Sequence, residues 1–238
     1  MHKNYFITAV GTNIGKTYLT CCLINYIKNI GRKAIALKPV ITGWEDGAEE
    51  NDTLRILSSM EWDIISENID TISPWRYKAA LAPNMAAAIE NKEINYSQLL
   101  TFCNQKQQGY DFCFIEGAGG VMTPLYRNKT ILDLISDLKI DVILVTGSYL
   151  GSISHSLTAI KALESIGASI NSIIVNNTLV GNNIPIEDTI LQLNNFVGYK
   201  ILPLSLAEHT QTDFKDIENI YHNVNQLSDF NIFPWGFI

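Results

Sequence analysis

Val10-Gly11-Thr12-Asn13-Ile14-Gly15-Lys16-Thr17 follows the apolar run Tyr5–Val10 and precedes a helix-like run, Tyr18–Ile30. A strand, a glycine-bearing turn and Gly-Lys-Thr at a helix start form the setting that a phosphate-binding loop needs. Backbone N–H groups of such a turn converge on phosphate oxygens, and the helix N-terminus adds partial positive charge. In this reading Asn13, Ile14, Gly15, Lys16, Thr17 and Tyr18 surround a polyphosphate. Lys16 reaches the outer phosphates, and the Thr17 hydroxyl ligates Mg²⁺. The usual pattern opens with Gly where this chain has Val10, with Gly11 beside it.

Outward from the loop, apolar runs alternate with helical patterns. Lys33–Val40 reads as a strand after Gly31, a helix-terminating glycine. Asp111–Ile115, Asp141–Thr146, Ile170–Asn176 and Tyr199–Leu202 read as further strands. Helical patterns fall at Asp52–Met60, Tyr96–Gln107, Ile131–Leu138, Ser154–Ile166 and Ile186–Phe196. Such alternation implies an α/β fold: a mostly parallel β-sheet flanked by helices on both faces, of the phosphate-loop NTPase type. No linker, repeat or low-complexity stretch divides the chain, so residues 1–238 are expected to form a single domain, with 231–238 a tail of unassigned role. In open parallel sheets ligands sit beyond the carboxyl ends of the strands. Polar residues follow the apolar runs in that way: Thr12–Thr17, Lys38–Gly43, Glu116–Gly120, Gly147–His155 and Asn176-Asn177. Five strand ends are expected to face one crevice.

Composition limits the partners. The chain has 238 residues, 47% of them hydrophobic, and a net charge of −7. A sizeable core is affordable at that length. The acidic balance argues against broad binding to nucleic acid or to an anionic membrane. No run approaches the ~20 apolar residues that span a bilayer. The four cysteines, Cys21, Cys22, Cys103 and Cys113, form no C-x-x-C pair and lie at no metal-ligand spacing from histidine. They read as buried free thiols of a cytoplasmic protein.

Three further residues carry chemistry. Glu116 ends an apolar strand and opens Glu-Gly-Ala-Gly-Gly, an arrangement that brings a carboxylate to Mg²⁺ beside a phosphate loop, while Gly117, Ala118 and Gly119 let backbone approach phosphate. Lys38 ends a strand before Pro39, where a cation is costly unless it points into a polar cleft. There it would neutralise transferring phosphate or a carboxylate-like group. Asp52 begins a helix after the loop Trp44–Asn51; it reads equally as that helix's N-cap or as a further carboxylate for a hard cation. Gly151–Ser154 form a second exposed helix N-terminus, suited to a carboxylate, and His155 reads as an ordinary helix-start residue.

Together, Thr8–Thr17, Lys38-Pro39-Val40-Ile41-Thr42-Gly43, Glu116–Gly120 and Leu150-Gly151-Ser152-Ile153-Ser154-His155 resemble dethiobiotin synthetase, in order and spacing, from the first strand to about Glu208. The resemblance implies a homodimeric ligase of biotin synthesis, dependent on ATP and Mg²⁺. It would join 7,8-diaminononanoate and CO₂ into the cyclic urea of dethiobiotin through a carbamate and a carbamic–phosphoric anhydride. Carried over by position, Thr17, Asp52 and Glu116 hold Mg²⁺, and Lys16 and Lys38 are the catalytic cations. Thr12 and Thr42 bind the substrate head. Asn176 reads adenine, with Asn177, Leu202, Pro203, Leu204 and Glu208 around the nucleotide. The amides of Gly151, Ser152, Ile153 and Ser154 take the substrate's tail carboxylate across the dimer interface. The chain departs from the family at Ala9 for Gly, Gly11 for Asp, Asn13 for Glu and Ser154 for Asn. Two rivals share the fold: a partitioning ATPase, whose signature Lys is absent at Gly11, and a cobyrinate-type amidating ligase, whose glutaminase domain this chain is too short to append.

Overall fold

In the computed structural model, residues 2–105, 109–177, 184–204 and 212–226 are described. The chain runs through β1 (Lys3–Ala9), α1 (Lys16–Asn29), β2 (Ala34–Leu37), β3 (Val40–Thr42), α2 (Asp52–Ser59), α3 (Ser66–Ile72), β4 (Trp75–Tyr77), α4 (Pro83–Ile89) and α5 (Tyr96–Gln105). It continues with β5 (Phe112–Glu116), β6 (Pro124–Tyr126), β7 (Lys129–Thr130), α6 (Ile131–Leu138), β8 (Asp141–Gly147), α7 (Ser152–Ser165), β9 (Ile170–Asn176), α8 (Ile186–Asn194), β10 (Ile201–Leu204) and α9 (Thr212–Gln226).

Six strands form the central sheet in the order β10-β9-β8-β1-β5-β2. Every pairing in it is parallel. Strands such as β5 and β9 are buried along their whole length and rich in Ile, Val and Phe, as strands covered on both faces must be. Alternation along β1 sends Tyr5 to one face, where its hydroxyl donates to the Val224 carbonyl of α9 at 2.5 Å. Phe6 points to the other face, toward Gly117 and Ile131 of α6. Helix α1 buries Leu19, Leu23 and Ile27, spaced four apart, together with Ile24. It ends at Ile30, followed by Gly31 in the left-handed region (φ 76°), as the sequence predicts. Helix α6 starts on a capping box, with Thr130 and Asp133 bonding each other's backbone N–H.

Element bounds differ from the sequence reading in instructive places. The expected strand Lys33–Val40 is two strands. The ladder of β2 on β5 stops at Leu37, and β3 leaves to pair in parallel with β4. Pro39 has no N–H to continue a ladder; Lys38 N instead donates to Ile72 O, and Trp75 N to Pro39 O. Helix α7 begins at Ser152, two residues before the expected Ser154, and β10 runs from Ile201 where the expected strand began at Tyr199. The segment holding α3, β4 and α4 was not read as structured at all. The helical pattern Tyr96–Gln107 is helical to Gln105; beyond that it leaves the described residues, as do Glu208 and 231–238.

Candidate active site

Register in the sheet brings the first chemistry together. Leu37 pairs with Ile115, and Ile7 with Glu116. The next residues of β2 and β5 are Lys38 and Glu116, side by side at the carboxyl edge, while β1 passes into the loop before α1. Lys38 Nζ lies 2.5 Å from Glu116 Oε1, 3.1 Å from Asp52 Oδ2 and 3.5 Å from Gly117 O. Both Lys38 and Glu116 are buried, at 4% and 1% exposure. Burial alone would push the Lys38 pKa down, but Glu116 and then Asp52 hold it above the ordinary lysine value. For Asp52, burial acts upward, yet the Lys38 ammonium draws its carboxyl below the usual range.

Asn51 removes the N-cap reading of Asp52. Its side chain, not that of Asp52, accepts from Leu54 N and caps α2. Asp52 is thereby freed for the site, where the Lys38 ammonium pairs with it. The Thr17 hydroxyl donates to Glu116 Oε1 at 2.6 Å. One hydroxyl and two carboxylates thus converge around an ammonium that already stands between anions. This is a hard-oxygen set of the kind that suits Mg²⁺. Among the described residues no group of three or more His, Cys, Asp and Glu could hold a metal; the set here is two carboxylates with an alcohol.

The loop itself is built tightly. Gly15 has φ 100°, and a Cβ there would sit 2.1 Å from Asn176 Nδ2. That amide donates to Ile14 O at 2.8 Å, so Asn176, at the end of β9, clasps the back of the loop. Asn13 takes a left-handed φ of 57°, which its short polar side chain tolerates better than most. Gly120 approaches the loop backbone so closely that a Cβ would lie 3.1 Å from Ala9 O and Gly11 N. Lys16 Nζ folds back on Gly11 O at 3.2 Å. Burial, and then the neighbouring Lys38, lower its pKa to about 8 against the pull of Glu116 and Asp52.

A cavity of about 890 Å³ lies over these strand ends. Thr12, Asn13, Gly15, Lys16, Thr17 and Tyr18 line it, with Lys38, Thr42, Asp52, Ala118 and Gly119. Three of the five expected strand ends therefore share this crevice. Asn176, Asn177 and Leu204 meet nearby at the ends of β9 and β10, where Asn177 N donates to Leu204 O, and Leu202 and Pro203 pair with β9 beside them. Gly151–Ser154 do not line the cavity. They open α7 elsewhere, with Ser152 N spent on Tyr149 O while Ile153 and Ser154 stand in the first turn, where helix amides lack intrahelical acceptors. His155 bonds the Tyr149 hydroxyl through Nδ1 at 2.9 Å, the ordinary role expected of it.

Several site residues escaped the sequence reading. Arg55 lines the cavity one turn after Asp52 and pairs with Glu50 at 2.7 Å. Leu81, Ala82 and Pro83 form a wall after β4, and Thr123 accepts from Gly120 N at 2.8 Å. Thr20 bonds Glu116 Oε2 at 2.9 Å. Its signal was its spacing, three after Thr17 on one helix face. The thiols are free: Cys103 and Cys113 are buried, Cys21 and Cys22 half-buried. Burial pushes Cys21 and Cys113 up to about 12, which leaves them poor nucleophiles. No helix among the described residues is long and apolar enough to cross a membrane.

Comparison with known proteins agrees with this architecture. A family model described as an AAA domain matches residues 3–208. The septum site-determining protein MinD of Pyrococcus horikoshii OT3, complexed with Mg-ADP, superposes with a TM-score of 0.59 at 14% identity, covering 96% of this chain and 98% of that one. Cobyrinic acid a,c-diamide synthase from Mycobacterium smegmatis, with bound ADP and magnesium, gives 0.56 at 12% identity over 96% of each chain. At such identities these likenesses speak for the fold alone. Identity in sequence shows the family. The ATP-dependent dethiobiotin synthetase of Phenylobacterium zucineum (strain HLK1) is 40% identical over 179 residues, 74% of this chain and 76% of the relative. That of Methylobacterium nodulans (strain LMG 21967 / CNCM I-2342 / ORS 2060) is 34% identical over 204 residues, 83% and 90% of the two chains. With its phosphate loop, its Lys38–Glu116–Asp52 cluster and this level of identity over most of its length, the chain belongs to the ATP-dependent dethiobiotin synthetase family.

Proposed function

We propose that this chain is a cytoplasmic, homodimeric cyclo-ligase that closes the ureido ring of dethiobiotin from 7,8-diaminononanoate, CO₂ and ATP. The observation that carries the reading is the buried Lys38 ammonium held between Glu116 and Asp52 at the edge of the phosphate-loop cavity. The reaction needs positioned cations more than a protein nucleophile. One amine of the substrate adds CO₂ to give a carbamate, and a carbamate oxygen takes the γ-phosphoryl group. The second amine then attacks the carbonyl of the mixed anhydride, closes the ring and expels phosphate.

Each residue has a part in that sequence. The amides of Asn13–Thr17 and the Lys16 ammonium hold the phosphates; Lys16 leaves Gly11 O to reach them. Lys38 lies where it balances charge shared between the carbamate and the transferring phosphoryl group. Thr12 and Thr42, on the cavity wall, offer hydroxyls to the substrate head. Thr17, Asp52 and Glu116 would hold Mg²⁺, which when bound neutralises phosphate charge. Adenine would lie at the ends of β9 and β10 among Asn176, Asn177 and Leu202–Leu204, with Asn176 keeping its Nδ2 on Ile14 O. The α7 N-terminus lies outside the cavity of its own chain, so its amides would take the substrate's tail carboxylate in a second copy.

The test is phosphate release from ATP with and without the diamine and bicarbonate. The reading expects release to depend strongly on both. ATP hydrolysis indifferent to them would point instead to a switch ATPase.

A further inference from the structure

Thr20 has no part in the scheme above, yet it is fully buried and its hydroxyl touches the site. Its Oγ1 lies 2.9 Å from Glu116 Oε2 and 2.9 Å from Lys16 O. One proton serves one of these acceptors. The Lys16 carbonyl already accepts the helical N–H of residue 20, whereas the carboxylate oxygen is anionic and rewards a donor more. Among the described residues, Thr20 is the side chain that donates to Oε2, while Thr17 and Lys38 both crowd onto Oε1. The two oxygens of Glu116 therefore have separate duties.

We propose that Thr20 is a positioning residue for Glu116: by holding Oε2 it fixes the rotation of the carboxylate, so that Oε1 alone is presented to Thr17, Lys38 and the divalent cation that accompanies the nucleotide. The proposal rests on the reading of Glu116 as a cation-facing carboxylate. Without the Thr20 hydroxyl, a carboxylate at 1% exposure is left with an oxygen lacking its donor. It satisfies that oxygen by turning toward Lys38, and an ammonium that holds both oxygens of Glu116 competes with the metal for them.

The experiment compares Thr20→Val, Thr20→Ala and Thr20→Ser with the natural chain. The main readout is Mn²⁺ binding to the protein–ADP complex by electron paramagnetic resonance, which needs no turnover. The second is the Mg²⁺ concentration for half-maximal activity. Loss of an outer-shell partner typically costs about ten- to a hundredfold in metal affinity. Thr20→Val and Thr20→Ala are expected to weaken Mn²⁺ by that factor and to raise the Mg²⁺ requirement in parallel, leaving the KM for the diamine unchanged. Thr20→Ser, which keeps the hydroxyl and drops the methyl, is expected to stay within about twofold of the natural chain, far inside that loss. A packing role predicts the opposite order, with Val normal and Ser impaired, and that order overturns the proposal. So does unchanged Mn²⁺ affinity in a folded Val or Ala variant, or a natural chain that binds no Mn²⁺ with ADP. Failure of diamine-dependent phosphate release with the Mn²⁺ pattern intact would strike the ring-closing activity and leave Thr20's role standing.

Discussion

With Nζ 2.5 Å from Glu116 and 3.1 Å from Asp52, Lys38 is a buried cation facing two anions, and removing it strands both. Losing one partner of a buried pair costs about 3 kcal/mol or more, which for a chain of this size lowers Tm by roughly 6–12 °C. Lys38→Ala is therefore expected to melt early in EDTA and to recover most of the loss with MgADP, because a divalent ion takes the ammonium's place between the carboxylates. With MgATP its turnover should stay at least about a hundredfold down, since nothing replaces the charge on the transferring group. Calorimetry with and without Mg²⁺ separates the effects; a metal-insensitive Tm would sink the shared-site idea. Lys16 makes a second prediction. In the free protein its pKa is about 8, below the ordinary 10.5, through burial, with Lys38 adding repulsion and Glu116 and Asp52 opposing. Phosphate oxygens favour the ammonium and raise that pKa, so binding takes up a proton above about pH 8. ADP affinity should be flat below that pH and fall with each unit above it. Titration calorimetry that found one affinity from about pH 7 to 9.5 would contradict the assignment.

At the scale of elements, the loop between β1 and α1 is held in shape from outside itself. Gly15 supplies a φ of 100° and the space into which Asn176 reaches, 2.1 Å from where a Cβ would be. A left-handed non-glycine residue costs about 1–3 kcal/mol, and Gly15→Ala must also push Asn176 off Ile14 O. The expected outcome is a folded protein whose nucleotide affinity is down more than about tenfold, the equivalent of that strain. Circular dichroism and ADP titration check it; normal affinity would show that the Asn176 clasp is dispensable. How well elements could be read from sequence followed their length and caps. Strands β5, β8 and β9 and helices α2 and α6 stood out because each is a long apolar run or carries a polar cap. Helix α3 has Ile65 at its N-cap and α4 has Ala82, neither giving a side-chain cap, and β4 is three residues long. These short pieces owe their form to what they pack against, and the stretch from β4 into α4, residues 80–83, forms the cavity wall that the sequence did not reveal.

For the molecule as a whole, the question is where the α7 amides act. They lie outside the cavity of their own chain, so the proposed tail site needs two copies. Gly151→Asp would repel the tail carboxylate and raise the KM for the diamine well above any change for ATP. Lys38→Ala and Gly151→Asp then damage different halves of one composite site. Mixed and allowed to exchange subunits, and assayed at a diamine concentration far below the raised KM, the two nearly inactive preparations should regain about a quarter of natural activity, since half the dimers are mixed and each has one intact site. No regain after demonstrated exchange would confine the site to a single chain.

Alternating apolar and helical runs were enough to establish a parallel sheet with its chemistry along one edge, because burial on both faces demands such strands and parallel connections demand the intervening helices. Gly15-Lys16-Thr17 likewise announced a phosphate loop from local order alone. The partners of Glu116 could not be read that way. Strand β5 enters the sheet between β1 and β2, which precede it by some seventy residues or more, and hydrogen-bonding order rather than chain order made Lys38 its neighbour. Asn51 took the cap that the sequence offered to Asp52, and the pitch of α1 turned Thr20 toward the far carboxylate oxygen. Those meetings are decided by distance in space, which only the assembled sheet defines.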